Sequence, residues 1–223
     1  MRVFIGYDKR EHLAAMICKY SIVKRSPEST HITFLKSIEI DAFKRERERT
    51  QSTDFTYTRF LVPYLSGYQG WSVFCDCDFL FLNDINLLMA YADPSKAVCV
   101  VKHPSYIPHT GLKMDNIPQH RMEKKNWASL MLFNNSHPDT QKLTPEYINT
   151  VQPGVLLHTF DWTDNIGSIP MNWNVLDNYY DITPLNAIHY TDGGPWFENY
   201  KQTQYSNYWW REYHRYSNDP DYI

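Results

Sequence analysis

The apolar positions change period twice within the first forty residues. Met1–Tyr7 ("MRVFIGY") is a short continuous apolar run that closes on Gly-Tyr-Asp, the pattern of a buried strand ending in a turn. Glu11–Lys24 then places Leu13, Ala14, Ile17, Tyr20 and Ile22 near helical spacing. "HITFLKS", His31–Ser37, returns to strand. A β-α-β opening predicts parallel strands joined by a right-handed crossover.

The same reading carries down the chain. "TYTRFLVPYL" predicts a helix over Thr56–Leu65 that contains Pro63 or is interrupted by it. Ser72–Phe74, Lys96–His103 and Trp127–Asn135 read as further strands. "LTPEYINTV" reads as a helix with Thr144 as N-cap and Pro145 in its first turn. Ala187–Tyr190 is a late short strand before "TDGGPW", and Tyr200–Tyr216 is expected to be helical. In that tail Tyr205, Trp209 and Tyr213 form one stripe, read first as packing against the sheet. A docking face for a further domain or a second copy is the next reading, and a platform for a sugar-like ligand the third. There are no repeats, low-complexity tracts or Gly/Ser/Pro linkers, so one α/β domain over residues 1–223 is expected. Its central sheet should be mixed, mainly parallel and flanked by helices. The longest irregular stretch is Pro104–Lys125, a length often functional in a compact domain.

Composition narrows the classes. With 223 residues, 43% hydrophobic and 21% charged, the chain suits one packed domain. A net charge of -3 with acids and bases interspersed argues against a nucleic-acid partner. The basic run Phe43–Gln51 ("FKRERERTQ") alternates in sign and reads as a solvated helix or loop. Cys18, Cys75, Cys77 and Cys99 show no zinc-type spacing and read as buried free thiols of a reducing compartment. No signal peptide opens the chain and no apolar run reaches membrane-spanning length. The expected location is the cytoplasm, the host's if the chain is viral. Aromatics at 16% suit sugar-like ligands, but they equally suit ordinary core and rim packing.

The chemistry concentrates in "WSVFCDCDFLFLND", Trp71–Asp84. Two carboxylates in an apolar run are costly unless something positive meets them. In an extended segment Asp76 and Asp78 face one side and Cys77 the other. Ligands of open α/β sheets bind beyond the carboxyl ends of the strands, where this pair sits. Paired carboxylates there suit Mg²⁺ or Mn²⁺, cations that also bind phosphate oxygens. The competing reading is a capping or salt-bridged pair. His189, closing "NAIHY" before a Gly-Gly turn, offers a third ligand; a lone histidine is equally a satisfied hydrogen-bonding residue.

Taken together, "MRVFIGYD", "TYTRFLVPYL", "WSVFCDCDFLFLNDI", "IPMNWNVLDN" and "HYTDGGPW" resemble GT-A glycosyltransferases in content and order. The likeness is to the glycogenin-like and lipopolysaccharide galactosyltransferase-like retaining enzymes, and to small bacterial and chlorovirus glycosyltransferases. It spans Met1 to about Tyr200. The resemblance implies a Rossmann-like nucleotide-diphospho-sugar transferase domain. Its nucleotide-binding half would lie at about 1–103 and its acceptor half at 104–223. It implies a UDP-sugar donor, a glycan or glycoprotein acceptor and a Mn²⁺ or Mg²⁺ cofactor. Gly6, Tyr7 and Asp8 would hold uracil and ribose, and Arg59 would reach the donor region. Asp76 and Asp78, with Cys77 between them, and His189 would form the metal site. Asn126 would lie beneath the donor sugar, and the Gly193-Gly194 turn near the diphosphate.

The chain departs from the family pattern in one place. Gly194 precedes Pro195-Trp196 where the family carries lysine, and His189 stands close to Trp196. The leaving diphosphate would then rely on the metal, the Gly-turn amides, Lys102 or Lys125. Support for the sugar ring would come from Asp161, Asn126 or Asp177, with Asp161 equally readable as a loop or cap aspartate. Three other readings stand beside this one. They are a DxD-dependent phosphatase or phosphotransferase with Asp76 as nucleophile, a metal-dependent nucleotidyltransferase, and a carbohydrate-binding module without catalysis.

Overall fold

The computed structural model describes residues 1–48, 51–104, 124–152 and 154–222, and the backbone of 112–113 and 117–118. Most of the expected Pro104–Lys125 loop lies outside the described residues. Six strands form the central sheet: β1 (Arg2–Gly6), β2 (His31–Leu35), β3 (Trp71–Cys75), β5 (Val98–Val101), β8 (Leu130–Asn134) and β9 (Ile166–Ile169). Their spatial order is β2-β1-β3-β8-β5-β9. β1 pairs in parallel with β2 and β3, and β5 with β9. Only β8 runs against its neighbours, so the sheet is mixed and mainly parallel. Its central strands are buried on both faces, which is why they read as unbroken apolar runs.

A second sheet of three short strands stands beside it: β10 (Val175–Leu176), β11 (Ala187–His189) and β4 (Phe79–Phe81), in that order. β11 pairs antiparallel with β4, with His189 opposite Phe79. A small pair, β6 (Leu112–Lys113) with β7 (Ile117–Pro118), completes the strands.

Helix α1 (His12–Val23) supplies the β-α-β crossover and buries Ala14, Ala15, Ile17, Cys18 and Ile22. The expected helix over Thr56–Leu65 is a 3₁₀ turn, Thr58–Leu61, leading into the single turn α2 (Val62–Leu65) with Pro63 at its start. Proline has no N–H to continue a helix behind it, so it begins the α turn. Helix α3 (Pro145–Thr150) is capped as expected: the Thr144 hydroxyl accepts from the Tyr147 N–H at 3.1 Å. Helix α4 (Ser206–Ser217) starts later than the aromatic pattern suggested. Tyr205 and Trp209 are buried with Ile17, Leu80 and Tyr190, and Tyr213 stacks on Trp209 at 5.4 Å. The stripe is therefore packing. Arg25 ties α1 to α4 through both oxygens of the buried Glu212, at 2.6 and 2.8 Å.

The "FKRERERTQ" segment has no helix among its described residues. Arg45 turns inward, donating to the Ile148 and Val151 carbonyls and lying 4.0 Å from the Tyr57 ring. All four cysteines are buried free thiols. Among the described residues no helix is long and apolar enough to cross a membrane.

Candidate functional site

Asp76 begins where β3 ends, and Asp78 stands just before β4. The Asp-Cys-Asp segment is the turn between these strands, not an extended continuation of β3. The expected division of side chains nonetheless holds. Cys77 is fully buried, whereas Asp76 and Asp78 are half-buried. The β4–β11 register then sets His189 beside them. One ligand atom from each of Asp76, Asp78 and His189 lies within 4.8 Å of the others. His189 Nε2 is 3.4 Å from Asp78 Oδ1.

Each arm is held from behind. The Asp76 N–H donates to the Ser129 carbonyl at 2.9 Å, and the Tyr190 N–H to the Asp78 carbonyl at 3.0 Å. His189 is buried, stacks on Phe79 at 4.5 Å, and meets the Asn174 amide oxygen through Nδ1 at 2.9 Å. Arg59 lies 2.8 Å from Asp76 Oδ1, donates to the Ala128 carbonyl at 2.8 Å, and rests against the Phe55 and Phe74 rings.

The local field is negative. Glu11, 4% exposed, is bonded by the Cys77 thiol at 3.6 Å. Burial first, and then the charges of Asp78 and Asp8, push its carboxyl up to about 8. Burial, followed by Glu11 and Asp78, also holds the Cys77 thiol well above its ordinary range. Asp8 is fully buried, and burial alone would raise it. Bonds from the Arg10 side chain and backbone and from the Asp54 N–H outweigh that and hold it low. Arg10 thus answers Asp8 and Arg59 answers Asp76. The Glu11 carboxyl is raised by its burial first, with the charges of Asp78, Asp8 and Asp76 adding to it. Two carboxylate oxygens and one imidazole nitrogen in such a field fit Mn²⁺, and Mg²⁺ less well.

The structure brings other expected residues to the same rim. Asn126 is left-handed (φ 62°), and its amide pairs with the Thr191 hydroxyl at 3.1 Å, two residues beyond His189. Gly193 has φ +120°, and a Cβ on Gly194 would fall 2.1 Å from the Trp196 ring. Glycine is required at both positions of this turn. At the end of β1, a Cβ on Gly6 would fall 2.3 Å from the Phe55 ring. The Tyr7 hydroxyl meets His12 Nδ1 at 3.0 Å, and the ring packs edge-on to Phe34.

Other candidates are engaged elsewhere. Asp8, expected to accept from a base, already accepts from Arg10 and from the Asp54 N–H at 3.1 Å. The Asp177 carboxylate accepts from the Tyr205 N–H at 2.9 Å, just ahead of α4. Asp161 is exposed, and its charge reaches Tyr147; no described contact joins it to Asp76, Asp78 or His189. Lys102 donates to the Ile166 carbonyl at 3.0 Å.

Sequence reasoning missed Glu11, Ser129, Asn174 and His103. Burial, followed by the nearby His189, pulls His103 down to about 3, and its ring lies parallel to Tyr180 at 5.8 Å. Asn174 carried a faint signal: with Asn172 it is one of two asparagines set among Met171, Trp173, Val175 and Leu176. Glu11 carried none, since an acid at a helix start is ordinary.

No protein-family model matches the chain. It is 41% identical to the Protein CDI of Arabidopsis thaliana over 229 residues, covering 98% of this chain and 88% of that protein. Among solved structures it resembles the bifunctional glycosyltransferase WbbM, with a TM-score of 0.64 at 15% identity. That match covers all of this chain, which spans about half, 50%, of WbbM. It also resembles the galactosyltransferase LgtC in complex with donor and acceptor sugar analogs, with a TM-score of 0.60 at 11% identity. There the match covers 99% of this chain and 98% of LgtC. The phosphatase reading would place such a motif at the end of the first strand of the fold, whereas the Asp-Cys-Asp turn follows the third strand in sequence. By sequence the chain belongs to the family of the Arabidopsis Protein CDI, and its fold is that of the GT-A glycosyltransferases.

Proposed function

We propose that this protein is a metal-dependent glycosyltransferase of the cytoplasm. It moves a hexose from a UDP-sugar to a glycan or glycoprotein acceptor with retention of anomeric configuration. The observation that carries this reading is the convergence of Asp76, Asp78 and His189 at the strand ends of a GT-A fold. LgtC, a galactosyltransferase of this fold, was captured with donor and acceptor sugar analogs, which supports a sugar donor and a sugar acceptor.

Asp76, Asp78 and His189 would hold Mn²⁺ or Mg²⁺. When bound, the cation supplies charge neutralisation for the departing diphosphate. The chain's own residues do the rest. Arg59 anchors the Asp76 carboxylate so that it is not free to swing. Gly6 lets Phe55 close beneath the end of β1, and Tyr7 beside it offers a face for the base. The Gly193 N–H is taken by the Tyr190 carbonyl at 2.9 Å, so the backbone at Gly194 would face the diphosphate in place of the family's lysine, with Lys125 adding positive charge. Asn126 offers its amide to the donor sugar from the same rim as Thr191. Asp161 is proposed as the carboxylate that supports the ring from the acceptor half.

The test is calorimetry of UDP with Mn²⁺ on wild type and Asp78→Ala, together with UDP release from a panel of UDP-sugars. Asp78→Ala is expected to lose metal-dependent UDP binding with its circular dichroism unchanged. Unaltered Mn²⁺-dependent UDP affinity in that variant removes the metal role. Release of pyrophosphate in place of UDP turns the reading to nucleotidyl transfer.

A further inference from the structure

The hydrogen bonds behind His189 run in one direction, and that direction decides which ring nitrogen carries the proton. A backbone carbonyl can only accept. The Asn126 carbonyl accepts the Ser129 hydroxyl at 2.7 Å, which uses the only proton Ser129 Oγ has. Toward Asn174 that oxygen can therefore only accept, so the Asn174 NH₂ faces it, at 2.9 Å. The Asn174 amide oxygen is then turned to His189 Nδ1 at 2.9 Å, and Nδ1 must be the donor. In the neutral ring Nε2 is left with a lone pair, 3.4 Å from Asp78 Oδ1, a second acceptor. Two acceptors face one another, an arrangement that a cation between them satisfies.

We propose that Asn174, oriented by Ser129, is a positioning residue that fixes His189 as the Nδ1–H tautomer and presents the Nε2 lone pair to a divalent cation shared with Asp76 and Asp78. The proposal rests on the metal-dependent reading above. Asn174 is fully buried, where a dangling amide would be costly; both ends of it are committed to this chain of bonds. Ser129 serves both arms, because its carbonyl also holds the Asp76 N–H. His103 lies against the same amide and stays neutral through burial, so it brings no competing charge. Partners of this kind behind a ligating histidine set its tautomer and its basicity as a ligand.

Two measurements test the proposal. Long-range ¹H–¹⁵N NMR of the chelator-treated protein, at a pH where the imidazole is neutral, should show His189 protonated on Nδ1. An Nε2–H tautomer overturns the assignment. Mn²⁺ alone is then titrated, with the free ion followed by its electron paramagnetic resonance signal. Asn174→Leu should weaken Mn²⁺ binding about 10–100-fold. Asn174→Asp, which still accepts from Nδ1–H, should restore it to near wild type. Equal Mn²⁺ affinity in a folded Asn174→Leu variant overturns the role of Asn174. If Asn174→Leu fails to fold, Ser129→Ala takes its place in the NMR experiment. Mixed tautomers are then expected, and an unchanged single tautomer overturns the relay. A wild-type protein that takes up no Mn²⁺ overturns the metal reading itself, and the tautomer spectrum separates that outcome from a failure of Asn174.

Discussion

Glu11 offers the sharpest check on the electrostatics of the site. Its carboxyl is buried behind the Asp-Cys-Asp turn and pushed from its ordinary 4.5 up to about 8, by burial first and by Asp78 and Asp8 next. Between those two pH values the folded chain keeps a proton that the unfolded chain has released. Stability is therefore full below the lower value, falls through the window as pH rises, and stays reduced above about 8. At about 1.4 kcal/mol per pH unit, the displacement sets a ceiling of about 5 kcal/mol. Relaxation and water entry at the buried group bring the expected loss to about 2–3 kcal/mol. Glu11→Gln keeps the shape and the hydrogen bonding of the protonated acid but cannot ionise. Urea unfolding in chelator, from about pH 5 to about pH 9, should show wild type losing stability relative to Glu11→Gln by that amount. Mn²⁺, by neutralising Asp76 and Asp78, should narrow the gap. Parallel stability curves for the two proteins across the window would refute the upward displacement of the Glu11 carboxyl.

Two further substitutions probe what holds the site in place. Arg59→Ala strips a buried guanidinium from Asp76 and from the Ala128 carbonyl, and should lower unfolding stability by about 3–5 kcal/mol. A loss below about 1 kcal/mol would mean that the pair behaves like a surface one. Gly6→Ala forces a methyl to within 2.3 Å of the Phe55 ring and should be destabilising by about 1–3 kcal/mol. Combining it with Phe55→Leu should recover part of that loss; strictly additive effects in unfolding experiments would show that the clash is not the cause.

Much of the frame was legible because period and burial coincide. The opening β-α-β, the apolar runs of β3, β5 and β8, and the Thr144 cap follow directly from local pattern. β9 escaped because "IGSI" is short, carries Gly167 where the Cys99 sulfur presses close, and looks like loop. β4 was readable as apolar, but nothing local says that it leaves the main sheet to pair with residues 187–189. In the site, Asp76, Asp78 and His189 were legible from chemistry at predicted strand ends. Their supports were not. Ser129 and Asn174 are polar residues whose meaning comes only from which backbone lies opposite, and Glu11 matters only through what the fold buries around it. Asp8 illustrates the converse, a carboxylate in the right place whose bonds are already taken by Arg10 and Asp54.

The pairing of β4 with β11 also joins segments that lie far apart along the chain. The six strands of the central sheet are all contributed by residue 169, whereas the third member of the Asp76, Asp78 and His189 group arrives only at His189, opposite Phe79. Closing that loop of more than a hundred residues is entropically slow compared with the local β-α-β contacts. A chain that has not yet paired residues 187–189 with β4 would thus display Asp76 and Asp78 without the imidazole that stands beside them. On the proposed metal-dependent reading, Mn²⁺ uptake would then report whether residues 187–189 have paired with β4.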